Sequence, residues 1–117
     1  MAENVIVTKS FDFAVKIVKF SFHMQETKKE YVISRQLLKS GTSIGANIEE
    51  SQGAISKAEF IAKLQISLKE AKEAKYWLRL IQASDIYSNP NLKELTNECG
   101  ELIVILTSIL KSAKANR

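Results

Sequence analysis

A chain of 117 residues, 45% hydrophobic and 26% charged, has the size and composition of one soluble globular domain with a real core. Seventeen Lys and Arg against thirteen Asp and Glu leave a formal charge of +4, too little for a dense cationic nucleic-acid tail. No apolar run approaches the about 18 residues of a membrane span, the start lacks a basic-then-apolar leader, and Cys99 is the lone cysteine. These features predict a cytoplasmic protein without an intramolecular disulfide.

Helical periodicity runs almost throughout, in a single domain over residues 1–117. Ser10 is the expected N-cap of helix 1, which carries two apolar stripes. One is Phe11, Ala14, Val15, Val18 and Phe22; the other is Phe13, Ile17, Phe20 and Met24. Residues 23–28 contain the first turn, and helix 2 runs from about Glu30 to Ser51. Ser56 with Glu59 forms a capping box opening helix 3, whose buried face is expected at Phe60, Leu64, Ser67 or Leu68, Ala71, Leu78 and Ile81. Ser88-Asn89-Pro90-Asn91 breaks the pattern. Leu92, Leu95, Cys99, Ile103, Leu106, Leu110 and Ala113 then mark helix 4 at near-heptad spacing. Four amphipathic segments with short connections predict an all-α, antiparallel up-down-up-down four-helix bundle.

Helix 2 holds the most informative stretch. Leu37, Gly41, Ile44 and Ile48 recur at helical spacing, although each internal glycine costs roughly 1 kcal/mol relative to alanine. A polar line runs beside them through Gln36, Ser40, Ser43, Asn47 and Glu50. Small residues there let a neighbouring helix approach closely. The expected structural seam joins Gln36, Lys39, Ser43, Asn47 and Glu50 to Ser67, Glu70 and Glu73 of helix 3, fixing helix register by penalising unpaired buried groups.

Catalytic chemistry has little to build on. The sole histidine, His23, follows Phe20 three residues later, so no Glu-x-x-His di-iron motif exists. Glu49, Glu50, Glu70 and Glu73 are read as capping, surface and pairing residues rather than metal ligands. No glycine-rich phosphate loop follows a strand, and Ser43 and Ser67 have no histidine beside them in sequence. Cys99, on an apolar face with Leu95, Leu102 and Leu106, reads as a buried small hydrophobe. The sequence therefore predicts no enzyme, metal or cofactor.

The surface of helix 3 is more promising. Lys69, Lys72, Lys75 and Arg79 fall in one outward sector, with Lys63 extending it toward the helix start and Glu70 and Glu73 weakening it by local pairing. A solvated face and a phosphate-binding face are both compatible with this pattern. Tyr76-Trp77 among these cations fits either helix packing, with Tyr76 half-exposed, or base stacking. Helix 1 has one apolar face too many for an isolated bundle. That surplus, assigned to Phe13, Phe20 and Trp77, predicts a subunit interface.

The segment Gln36-Leu37-Leu38-Lys39-Ser40-Gly41-Thr42-Ser43-Ile44-Gly45-Ala46-Asn47-Ile48-Glu49-Glu50 resembles the signature of the bacterial four-helix-bundle proteins called the 23S rRNA intervening-sequence family. Ser67-Leu68-Lys69-Glu70-Ala71-Lys72-Glu73, followed by Tyr76-Trp77-Leu78-Arg79-Leu80, resembles its second signature. The likeness extends over nearly the whole chain and departs at Lys39 and Gly45, where many relatives carry Arg and Pro. A related branch, the accessory variability proteins of diversity-generating retroelements, forms homopentameric barrels with basic surfaces that bind reverse transcriptase and nucleic acid. The resemblance implies a non-catalytic homo-oligomer, a pentamer, associated with RNA or DNA and a nucleic-acid enzyme. Five copies would carry five times +4, or +20. The rival expectation is a protein-binding scaffold or adaptor that never touches nucleic acid.

Overall fold

Helix α1 (Ala2–Lys28) starts at the second residue, so Ser10 lies within it and does not cap it. Its buried hydroxyl donates to the Val7 carbonyl at 3.1 Å, a bond inside the helix that lets a small polar side chain enter the core. The computed structural model describes residues 2–116, with side chains from residue 5 onward. Within them lie three further helices, α2 (Val32–Gln52), α3 (Lys57–Ser84) and α4 (Leu92–Ala115), and no strand.

Local chemistry explains the boundaries. Lys29, with φ of 54°, turns the chain out of α1. Glu30 belongs to the turn and not to α2: its carboxylate accepts the amide N–H groups of Val32, Ile33 and Ser34 at 3.1, 2.9 and 2.9 Å. One side chain thus satisfies three donors that a helix start leaves without partners. At α3 the Ser56 hydroxyl accepts from the Glu59 amide at 3.0 Å, as its spacing predicts. The Glu59 carboxylate reaches back one residue further, to the Ile55 amide at 3.0 Å. Asp85, at φ 56°, closes α3, and Pro90 sits in the turn before α4.

Connections this short force consecutive helices to run antiparallel. Each packs on its chain neighbours, and α4 closes against α1. The result is an up-down-up-down bundle of 47 × 20 × 20 Å.

The core settles which stripe of α1 faces inward. Phe13, Ile17, Phe20 and Met24 are buried with Leu37, Ile44 and Ile48 of α2, Leu64, Leu78 and Ile81 of α3, and Leu95, Leu102 and Leu106 of α4. Phe13 and Phe20 are therefore core residues, only 2% and 5% exposed, and supply no surplus surface. That surplus lies on the other stripe, where Phe11 and Phe22 are 61% and 53% exposed and Val15 is open too. On α3, Ile61 and Ser67 point inward where Phe60 and Leu68 are half-buried at the edge.

Glycine sets the spacing of α1 on α2. A Cβ at Gly41 would stand 2.8 Å from Ile17 Cγ2, and one at Gly45 would stand 3.3 Å from the Ser10 carbonyl oxygen. At the far end, buried Tyr87 packs edge-on against Phe20 and hydrogen-bonds His23 Nδ1, while Asn89 Nδ2 donates to its hydroxyl at 2.7 Å. This cluster ties the α3–α4 connection to α1.

Candidate nucleic-acid interface

Three lysines of the bundle are tied to carboxylates. On the α1–α4 seam, Lys9 meets Glu101 at 3.1 Å, and Lys16 meets Glu94 and Glu98 at 3.2 and 2.6 Å. The Lys16 ammonium is held above the ordinary lysine range, chiefly by its hydrogen bond to Glu98 and then by that to Glu94. Lys63 lies on the flank of α3 toward α2, where it pairs with Glu50 at 2.8 Å. Its pKa is raised mainly by that same bond. The structure thus separates Lys63 from the basic sector that it was expected to extend.

Lys69, Lys72, Lys75 and Arg79 make no ion pair among the described residues. Lys69 and Lys72 line a shallow groove of about 330 Å³ between α3 and α4, with Leu68 and Leu110 as its apolar lining and Lys114 on its far bank. Lys75 continues the line into the next groove, beside Gly100 and Val104. The Lys75 ammonium lies over Gly100, 3.8 Å from where a Cβ would stand. Glu101 borders this second groove but is paired with Lys9. Arg79 is exposed one turn further on. Ten residues of helix place Lys69 and Arg79 roughly 15 Å apart along the axis.

Among the described residues Glu70 and Glu73 form no ion pair with this row, and the Glu73 carboxylate accepts from Trp77 Nε1 at 3.4 Å. Trp77 is half-buried against the core, with Tyr76 exposed beside it and the two rings edge-on at 5.1 Å.

The polar line of α2 behaves differently from the expected network. Ser43 donates to the Lys39 carbonyl at 2.6 Å and Asn47 to the Ser43 carbonyl at 2.8 Å, both within their own helix. Gln36 and Lys39 are exposed, and Glu50 is occupied by Lys63. The bond that crosses between the helices comes from α3: the fully buried Ser67 hydroxyl donates to the Ile44 carbonyl at 2.8 Å. The two glycines of this stretch face α1, at Ile17 and Ser10, and toward α3 a main-chain acceptor replaces the side-chain partners. Ser43 and Asn47 satisfy themselves on the preceding turn of their own helix, whereas Ser67 reaches across only to the main chain.

Cys99 donates its S–H to the Ala71 carbonyl at 3.2 Å inside the core. Burial, outweighing the opposing pull of the Lys75 charge, pushes the thiol up to about 12. A thiol so protonated is inert as a nucleophile at neutral pH. Among the described residues no cluster of His, Cys, Asp and Glu has the makings of a metal site, and no helix is long and apolar enough to cross a membrane.

Lys114 is the functional candidate that linear reasoning missed. It follows the heptad row of helix 4 by one residue, and only the antiparallel register of α4 on α3 sets it opposite Lys69 and Lys72.

Comparison with known proteins agrees with this architecture. A family model described as 23S rRNA-intervening sequence protein matches residues 2–108. None of the curated proteins shows significant similarity. A solved structure from Bacteroides thetaiotaomicron VPI-5482, described as a protein with unknown function from the S23 ribosomal protein family, is 44% identical with a TM-score of 0.90. The match covers 95% of this chain and 99% of that one.

Proposed function

The chain belongs to the 23S rRNA-intervening sequence protein family, and from that premise we propose that it is a non-catalytic, homo-oligomeric accessory protein that binds phosphate backbones. Its partners are RNA or DNA, a nucleic-acid enzyme acting on them, and further copies of itself in the cytoplasm. The observation that carries this reading is the contrast in pairing. Lys9 and Lys16 on the α1–α4 seam and Lys63 toward α2 meet carboxylates, whereas Lys69, Lys72, Lys75 and Arg79 do not, and Lys114 joins them across the groove. A row of uncompensated cations attracts a polyanion by releasing its condensed counterions. The ribosomal family name of the Bacteroides neighbour supports RNA as one arm.

The test is fluorescence anisotropy with a labelled oligonucleotide over a range of salt. Binding should weaken steeply with salt, and replacing Lys72, Lys75 and Arg79 together with glutamine should weaken it across unrelated sequences and make the slope shallower by about three phosphate contacts. Unchanged affinity and slope in the intact oligomer return this face to ordinary surface.

One observation favours protein contact as well: the open apolar stripe of Phe11, Val15 and Phe22 on α1. We assign it to self-association into a pentamer, so light scattering should give five times the 13.1 kDa of one chain. A monomer at micromolar concentration refutes that assignment. Binding of protein partners by a chain that ignores oligonucleotides would support the scaffold reading instead.

A further inference from the structure

Tyr76 occupies the middle of the basic row, four residues after Lys72 and three before Arg79, so helical spacing sets all three on neighbouring positions of one face. Phosphate binding alone needs no aromatic ring there. The ring is 52% exposed, yet it is braced: Trp77 holds it edge-on at 5.1 Å. Trp77 is in turn fixed by packing against the core and by its N–H donated to Glu73. Bracing removes part of the rotamer freedom that an exposed tyrosine loses on binding. A rigid aromatic face flanked by unpaired cations is the arrangement that receives a nucleobase while neighbouring ammonium and guanidinium groups hold the adjoining phosphates. A duplex keeps its bases stacked inside and offers such a face nothing to hold.

We propose that the ligand of this surface is a single-stranded polynucleotide, with one base stacked on Tyr76 and its backbone running along Lys69, Lys72, Lys75 and Arg79. This rests on the phosphate-binding reading above and narrows it to a substrate class. Stacking reads no base edge, so the surface should accept many sequences, in RNA or DNA.

The experiment compares three labelled single-stranded 12-mers at low salt, oligo(dT), oligo(rU) and a wholly abasic DNA strand, with a 12-base-pair DNA duplex. Both base-bearing single strands should bind roughly five- to hundred-fold more tightly than the abasic strand. Their binding should also quench the fluorescence of Trp77, the chain's one tryptophan. Tyr76→Ala should remove most of that advantage without changing abasic affinity, and Tyr76→Phe should keep it. Equal affinity for base-bearing and abasic strands, or equal losses on both in Tyr76→Ala, overturns the stacking and leaves phosphate binding standing. Tighter binding of the duplex overturns it likewise. Failure of every strand to bind, abasic included, overturns the phosphate reading and this inference together.

Discussion

Alanine placed at each of two helix glycines should change stability in opposite directions. By intrinsic propensity, Gly41→Ala and Gly100→Ala gain about the same, roughly 0.8–1.0 kcal/mol per site. They differ in what the new methyl meets. At Gly100 the nearest atom is the Lys75 ammonium at 3.8 Å, the mobile end of a long side chain. At Gly41 the Cβ would stand 2.8, 3.0 and 3.3 Å from Cγ2, Cγ1 and Cβ of Ile17, a branched side chain with no exposed surface. Those atoms sit near the backbone of α1 and cannot swing aside, so the helices must separate. Overpacking of this kind costs about 1–3 kcal/mol. Gly100→Ala should therefore stabilise by roughly 1 kcal/mol, while Gly41→Ala should destabilise by up to about 2 kcal/mol after its propensity gain.

Urea melts at a single protein concentration, which holds any contribution from association fixed, measure the gap directly. Subtracting the two mutants cancels propensity and leaves the steric clash. A separation below about 0.5 kcal/mol, within the error of additivity, would refute the close approach of α1 to α2. A second arm checks the cause. In an Ile17→Ala background both nearest atoms are gone, and Gly41→Ala should then stabilise. A persistent loss there would assign the effect to something other than Ile17.

Three further outcomes follow from named contacts. Ser67→Ala leaves the Ile44 carbonyl without its cross-helix donor and should cost about 1 kcal/mol, whereas Asn47→Ala, which loses only an intrahelical bond, should cost less; denaturant melts rank the two. Cys99 should resist thiol reagents in the native state, and its raised pKa fixes a sign: the neutral thiol of the fold contributes fully below the unfolded value of 9.0 and is lost as pH rises toward about 12. Wild type should accordingly lose up to about 2 kcal/mol relative to Cys99→Ala between pH 8 and pH 10.5, and parallel pH profiles of the two would refute the burial argument. Phe11→Asp and Phe22→Asp should abolish the proposed self-association with little change in helical circular dichroism, because neither ring is in the core; light scattering decides it.

Much of the fold was legible because helix periodicity is local. The four helices, the Ser56–Glu59 cap and the break at Pro90 all follow from residues within a turn or two of each other. Ser10 misled because a serine before an apolar stripe looks the same whether it caps a helix or hides inside one. Lys63 misled for a related reason. At 3.6 residues per turn it falls on the side of α3 away from Lys72 and Arg79, and the partner that neutralises it, Glu50, stands on another helix. Spacing along one helix cannot register a charge contributed by the next, and the same blindness hid Lys114.

The choice between the two apolar stripes of α1 is the deeper case. Phe11-Val15-Phe22 and Phe13-Ile17-Phe20-Met24 are equally good hydrophobic faces, and propensity has no preference between them. What distinguishes them is the surface they meet. Gly41 opens a recess on α2 that Ile17 occupies, and Gly45 lets the backbone at Ser10 come close. A helix rotated to bury Phe11 and Phe22 would bring bulkier rings toward the same α2 surface, and overpacking would oppose it. The glycines of α2 therefore do more than permit a close crossing. By admitting one face of α1 they oblige the other to stay outside, so the stability of the bundle and its exposed apolar stripe have a common origin in Gly41. Enlarging that residue should loosen the core and, by letting α1 rotate, disturb self-association as well. Light scattering on Gly41→Ala should show a weakened oligomer where Gly100→Ala retains the wild-type one, and an oligomer of unchanged mass and affinity in a destabilised Gly41→Ala would separate the two effects and refute the link.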